Sequence, residues 1–265
     1  MIDVHCHLNL KSFNSDYDAV AKQAFEAGVS KIINVGTSLE TSRKAVELAQ
    51  KYENMYAIVG IHPHHADKLE PDRLPQLEKL ASEPKVVAIG EIGMDFYRYK
   101  SNGITDPKLQ RELFVEQIKL AHRLKLPLQI HNRHAGSEIL EVLEEHKNLL
   151  LEQTPGMFHC FAGTLEVHKK ALELGFCLGF DGNITYAGLA PGETVELSKL
   201  VELTPIERIV TETDAPFLTP EPHRGSRNIP SYVILVAEAI SRIKNIPVEE
   251  VKNQTTQNAQ TLFKI

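Results

Sequence analysis

The stretch Ile2-Asp3-Val4-His5-Cys6-His7-Leu8-Asn9 decides how the rest of the chain is read. It opens as a β-rich apolar run, ends on two histidines, and is followed by no glycine-rich turn. An open doubly wound α/β sheet usually carries a phosphate-binding G-x-G-x-x-G at this point, so the stretch speaks against that architecture. Working outward from Ile2–His7, similar runs recur at Lys31–Gly36, Met55–Ile61, Val86–Glu91, Leu126–His131, Met157–Cys160, Phe176–Phe180 and Arg208–Thr213. Amphipathic stretches lie between them. Tyr17, Val20, Ala21 and Ala24 share a helical face, and Gly28 is placed to end that helix. Thr37-Ser38-Leu39-Glu40 reads as a capping box, Asp106-Pro107 as an N-cap with proline at the first helical position, and Thr164 opens a helix that stops at Gly175. Eight strands alternating with helices predict an α/β fold, a parallel TIM (β/α)8 barrel forming a single domain over residues 1–265.

Composition agrees with one globular unit. Hydrophobic residues make up 42% and charged residues 24%, which excludes disordered and collagen-like chains. At this length roughly three quarters of the unfolded surface can be buried, so folding needs no disulfide or structural metal. The net charge of −6 excludes a broad basic face for nucleic acid, so any such activity must sit in a local site. Three cysteines, Cys6, Cys160 and Cys177, point to a reducing compartment. Met1-Ile2-Asp3-Val4-His5 has neither the charged nor the apolar region of a signal peptide, and no apolar run reaches membrane-spanning length. A cytoplasmic protein with no membrane association and no obligate protein partner is expected. Asn102-Gly103-Ile104 falls in a long loop, Met94–Thr105. Phe217–Pro230 forms a proline-rich loop after strand eight, followed by a helix at Ser231–Lys244 and two short helical segments.

Twelve histidines are unusually many, and several fall in a pattern. His5 and His7 end strand one, His62 and His64 follow strand three, and Glu91 ends strand four. His131 ends strand five, His159 ends strand six, and Glu212 and Asp214 end strand eight. In a barrel these C-terminal strand ends converge on one mouth, the face that carries active sites in this fold. Alternation along a strand points His5 and His7 together and Cys6 away, sets Cys160 opposite His159, and puts Glu212 and Asp214 on one face. The cysteines are therefore read as small buried residues and not as ligands. Converging imidazoles and carboxylates cannot all be core filler, because buried charges are normally paired or bound to metal. Six ligands exceed the three of a single catalytic zinc. They suit two metals sharing a carboxylate and an activated water, with Glu91 as the natural bridge.

The motifs Ile2-Asp3-Val4-His5-Cys6-His7-Leu8, Gly60-Ile61-His62-Pro63-His64, Gly90-Glu91-Ile92-Gly93-Met94-Asp95-Phe96, His159-Cys160-Phe161-Ala162-Gly163 and Glu212-Thr213-Asp214-Ala215-Pro216 together resemble the TatD family of metal-dependent deoxyribonucleases. That family belongs to the amidohydrolase superfamily of barrels. The resemblance runs from residue 2 to about residue 228. It implies a two-metal hydrolase of DNA phosphodiesters, in many members a 3′-exonuclease preferring single strands. It also implies one metal on His5, His7, Glu91 and Asp214 and a second on Glu91, His131 and His159. Glu91 stands where other amidohydrolase families often carry a carbamylated lysine. His131-Asn132-Arg133-His134-Ala135 departs from the family pattern, which has an acidic residue where this chain has His134; the change alters the charge expected beside the site.

The expected reaction is in-line attack of a metal-activated water on a phosphodiester, with catalytic roles for Asp214, as proton acceptor, and Glu91. Arg133 and Arg224 are candidate phosphate clamps, each set against an ordinary surface arginine. His62 is read as binding substrate or protonating the leaving oxygen, and Phe96 or Tyr97 as able to stack a base. His122, His146 and His168 fall on helices away from the mouth. The cofactors expected are two divalent ions per chain, Mg²⁺, Mn²⁺ or Zn²⁺; the imidazoles favour Zn²⁺ or Mn²⁺, whereas the family is usually described as Mg²⁺-dependent. The partner expected is single-stranded DNA as substrate. Two other readings use the same frame: a small-molecule amidohydrolase cleaving an amide, lactone or cyclic ester, and a non-catalytic scaffold.

Overall fold

The computed structural model describes residues 1–100 and 103–265; Asn102 of the expected loop lies outside them. Eight parallel strands pair in chain order: β1 (Ile2–Cys6), β2 (Lys31–Val35), β3 (Met55–Val59), β4 (Val86–Asp95), β5 (Leu128–Arg133), β6 (Gly156–Phe158), β7 (Cys177–Phe180) and β8 (Ile209–Thr211). Helices α1 (Tyr17–Glu26), α2 (Leu39–Lys51), α3 (Arg73–Ala81), α4 (Pro107–Leu124), α5 (Gly136–Glu145), α6 (Leu165–Glu173), α7 (Leu197–Leu203) and α8 (Val233–Lys244) follow the strands one by one, and α9 (Val248–Phe263) is added at the end. This is the α/β TIM barrel. Among the described residues no helix is long and apolar enough to cross a membrane.

The seam between β8 and β1 is closed by the residues just beyond β8. Asp214 donates its backbone N–H to His5 at 2.9 Å, and His7 donates its own to Ala215 at 2.8 Å. Asp3, fully buried, fastens the same seam from below. Its carboxylate accepts the Thr213 backbone N–H at 3.0 Å and the Thr213 hydroxyl at 2.6 Å. Burial pushes the Asp3 carboxyl up to about 8.

Side chains from seven strands, including Ile2, Val4, Ile33, Val35, Ile58, Met157 and Val210, pack with Leu262 and Phe263 of α9 in one apolar cluster. Such a set meets only inside the barrel, so α9 plugs its N-terminal end. Asn258 fixes the plug by donating to the carbonyls of Ile206 and Ile209. The chain therefore ends in one 16-residue helix and not in two short ones. Val251, Thr255, Ala259 and Leu262 form its buried stripe, with no glycine or proline to divide it.

Other boundaries also shift. The α2 capping box is built from Ser38 and Thr41, one residue later than expected, with a threonine hydroxyl in the place of the Glu40 carboxylate. Asp106 and Thr164 cap α4 and α6 as their sequences indicate. Ser231 belongs to a short turn of 3-10 helix that precedes α8. Strand β4 runs on to Asp95, so Glu91 lies within it and not at its end. The registers of β1 against β2, and of β4 against both neighbours, each slip by one residue. Such bulges bend a strand and re-aim its side chains. Here they fall in the two strands that carry His5 and Glu91.

Candidate metal centre

His5 and His7 leave the top of β1 buried, with their Nε2 atoms 3.0 Å apart. His7 Nδ1 lies 2.8 Å from the Val35 carbonyl, which only accepts, so its hydrogen sits there and Nε2 keeps a lone pair. Asp214 Oδ1 approaches from the far side, 3.5 Å from His5 Nε2 and 3.3 Å from His7 Nε2. Asp214 reaches this position because its backbone turns left-handed, at φ 53°, just past β8.

Glu91 stands between two groups. Its Oε2 faces His5 and His7 at 3.7 and 3.9 Å. Its Oε1 faces His131 Nδ1 at 2.7 Å and His159 Nε2 at 2.8 Å. Close approach of β4 to β5 brings these groups together. At Gly93, with φ 139°, a Cβ would stand 2.1 Å from the His131 carbonyl oxygen, so only glycine fits. Burial alone would raise the Glu91 carboxyl, but His159, His62 and His131 around it hold it well below the usual range.

Three donor atoms from His5, His7 and Asp214 lie within 4.8 Å of one another, as do three from Glu91, His131 and His159. Converging imidazole lone pairs repel unless a proton or cation lies between them, and nitrogen and carboxylate donors together match divalent-metal chemistry. The residues therefore fit divalent metal.

Asp95 is the residue that sequence reasoning passed over. It is 1% exposed, and its Oδ2 meets Tyr99 Oη at 2.9 Å, His131 Nε2 at 3.1 Å and His64 Nε2 at 3.1 Å. His131 thus has a carboxylate on each nitrogen. Burial lowers its pKa, but Asp95 and Glu91 outweigh that and raise it to about 9. The available signal was spacing, since Glu91, Gly93 and Asp95 alternate along one strand.

His62 is buried beside Glu91, with Nε2 3.5 Å from Oε1. Its Nδ1 accepts the His64 backbone N–H at 3.1 Å, which puts the proton of the neutral ring on Nε2. Burial, then the neighbouring His131, depress its pKa well below 6.5. The ring is a neutral N–H donor aimed into the site.

Arg133 donates to Tyr99 Oη at 3.0 Å, and its guanidinium lies 4.0 Å above the Tyr97 ring. A chain of contacts, Arg133–Tyr99–Asp95–His131, thus joins the rim to the donor cluster. Arg224 is not part of this assembly. It is exposed, stacks 3.9 Å over Tyr186 and sits 4.0 Å from Glu221. Phe96 packs against the core, and one face of Tyr97 is covered by Arg133. His134 turns to the Pro191 carbonyl, so its effect falls on the loop before α7 and not on the donors.

Glu212 and Asp214 part company, contrary to simple alternation, because β8 has already ended at Thr211. Glu212 lies fully buried behind His159 and accepts the Cys160 backbone N–H. Cys6 packs against Ile33 and Asn34, and Cys160 against Asn183, away from the donor atoms. His122, His146 and His168 bond to Leu149, Val142 and Thr204 in the helical layer.

The chain is similar to known proteins over essentially its whole length. The family described as TatD related DNase matches residues 2–264. The chain is 38% identical over 266 residues to the uncharacterized metal-dependent hydrolase YabD of Bacillus subtilis, covering 100% of this chain and 99% of that one. It is 34% identical over 272 residues to the 3′-5′ ssDNA/RNA exonuclease TatD of Citrobacter rodentium, covering 100% and 98%. The crystal structure of YjjV, a TatD homolog from Escherichia coli, superposes with a TM-score of 0.88 at 31% identity, covering 100% and 98%. The chain belongs to the TatD-related DNase family of metal-dependent hydrolases.

Proposed function

We propose that this protein hydrolyses phosphodiester bonds of single-stranded DNA, working inward from the 3′ end, with two divalent ions held at the barrel mouth. The observation that carries the reading is Glu91, whose two oxygens face two separate pairs of imidazole nitrogens. His5, His7, Glu91 and Asp214 would hold one ion; Glu91, His131 and His159 would hold the other. Bound there, divalent ions supply an acidified water and positive charge for the phosphoryl oxygens.

The remaining chemistry belongs to the chain's own groups. The Asp214 carboxylate, beside the His5–His7 pair, takes the proton of the attacking water. His62 Nε2–H, held neutral by burial, donates to the phosphoryl or leaving oxygen. Asp95 is a positioning residue: it accepts the His131 Nε2–H and so turns Nδ1 toward Glu91. Arg133 is fixed by Tyr99 and Tyr97 with N–H groups to spare for a phosphate on the neighbouring nucleotide. Arg224 contacts the strand further out on the rim. The nucleic-acid substrate draws support from the 34% identical Citrobacter exonuclease.

The test is hydrolysis of a 5′-labelled single-stranded DNA by metal-stripped protein, with Mg²⁺, Mn²⁺ and Zn²⁺ restored separately. The expected result is a ladder shortening from the 3′ end that is absent in Asp214→Ala. Metal-loaded protein that cuts no strand but opens an amide, lactone or cyclic ester would replace the nuclease with a small-molecule amidohydrolase.

A further inference from the structure

Of the ten phenylalanines, all among the described residues, Phe217 alone is exposed, at 52%. Exposing a phenylalanine forfeits the burial that normally keeps this side chain inside. Yet the backbone beneath it is rigidly held. Phe217 donates its N–H to the Asp214 carbonyl at 2.8 Å, folding the chain back over that residue. Asn228, fully buried, spends its side-chain amide on the carbonyls of Thr213 and Phe217, at 2.7 and 2.6 Å. The ring is thus presented to solvent from a fixed support. Its centroid lies 6.2 Å from that of His7, one ring away from the donor cluster.

The other rim aromatics are differently placed. Tyr97 and Tyr186 each carry a guanidinium over the ring, from Arg133 and Arg224. Phe217 meets His7 edge-on, at an interplanar angle of 69°.

We infer that Phe217 is a stacking platform for the base adjoining the scissile phosphate, and that it selects strands whose end base is unpaired. The inference rests on the nuclease reading above. A phosphodiester seated on the donor cluster brings an adjoining nucleotide within reach of a ring this close. A base inside a duplex is already stacked on both faces, whereas a single-strand base has a face free for the phenyl ring. The platform tolerates any base, because stacking reads a π-face and no hydrogen-bond pattern.

The test compares kcat/KM on 5′-labelled oligothymidylates that are intact or abasic at the last or the penultimate nucleotide. Wild-type protein should prefer the intact strand by about tenfold at one of these positions. F217A and F217L should lose that preference, and F217Y should keep it. Melting curves confirm that each variant is folded. The chain has no tryptophan, so F217W provides an independent readout in the holoenzyme. Its emission should be quenched by a phosphorothioate oligothymidylate and not by the abasic equivalent. Equal preference in wild type and F217A, or full retention in F217L, would overturn the stacking role while leaving the nuclease reading intact. Wild-type protein that cuts no oligonucleotide at all would overturn both.

Discussion

The two ends of the barrel are built from the same strands and do opposite work. At the N-terminal end Ile2, Val4, Ile33 and Val35 close on Phe263 and Leu262 of α9, an apolar plug. At the top of β1 and just beyond it the same wall carries His5 and His7, and within β4 it carries Glu91. The change coincides with register slips in β1 and between β4 and β5, whereas the slip between β3 and β4 falls at Val87, inside the apolar cluster. Gathering donor atoms from six residues within a few ångströms uses bulges, a glycine where strands touch, and a left-handed turn at Asp214. One end buries apolar surface and the other gathers donor atoms.

Cutting into the plug should test that separation most strongly. Phe263→Ala is expected to lower unfolding free energy by about 3–5 kcal/mol, the usual loss for a truncated core aromatic. Metal bound per folded chain, read by elemental analysis below the unfolding transition, should not change. Loss of metal from still-folded Phe263→Ala would show that the two ends are coupled.

The mouth should give the reverse pattern. Asp95→Asn removes the carboxylate from His131 Nε2, and metal affinity or activity should fall by about 10–100-fold. The melting temperature should move little. Unchanged affinity in a metal titration would remove Asp95 from the positioning role.

The smallest effect lies on the mouth side but outside the donor cluster. Asp16 and Arg227 pair on the outer surface at 2.5 Å, and hydrogen bonds from Arg227 hold the Asp16 carboxyl below its usual range. A lowered carboxylate pKa stabilises the fold above the ordinary value, and the contribution disappears as pH falls through the lowered one. Asp16→Asn should therefore lower the melting temperature slightly at neutral pH and not at all in strong acid. A pH-independent difference would assign the effect to the Asp16 backbone turn instead.

Much of this was legible in the residues themselves. Alternating apolar runs and helical faces gave the barrel its strand count, and histidines near strand ends pointed to donors on one mouth, although β5 runs two residues past His131. What periodicity could not supply was geometry that departs from periodicity. Asp214 escapes the alternation rule because it lies beyond β8, and Glu212 is left behind His159. Asp95 was hidden because β4 continues past the residue at which its apolar run stops. Arg133 and Arg224 look alike in sequence, but only Arg133 is joined to the donors through hydrogen bonds, because Tyr99 happens to bridge it to Asp95. Helix α9 shows the same point at the other end, where a polar-looking tail is one helix because its single apolar stripe is long enough to seal the barrel.

The central claim is that one carboxylate, Glu91, joins two ion sites. The most direct measurement is metal stoichiometry of wild type and Glu91→Ala, reconstituted with Zn²⁺ or Mn²⁺, desalted and analysed by element. The account predicts two ions per wild-type chain, with both sites weakened in a Glu91→Ala protein that remains folded. Two ions retained by Glu91→Ala would contradict it.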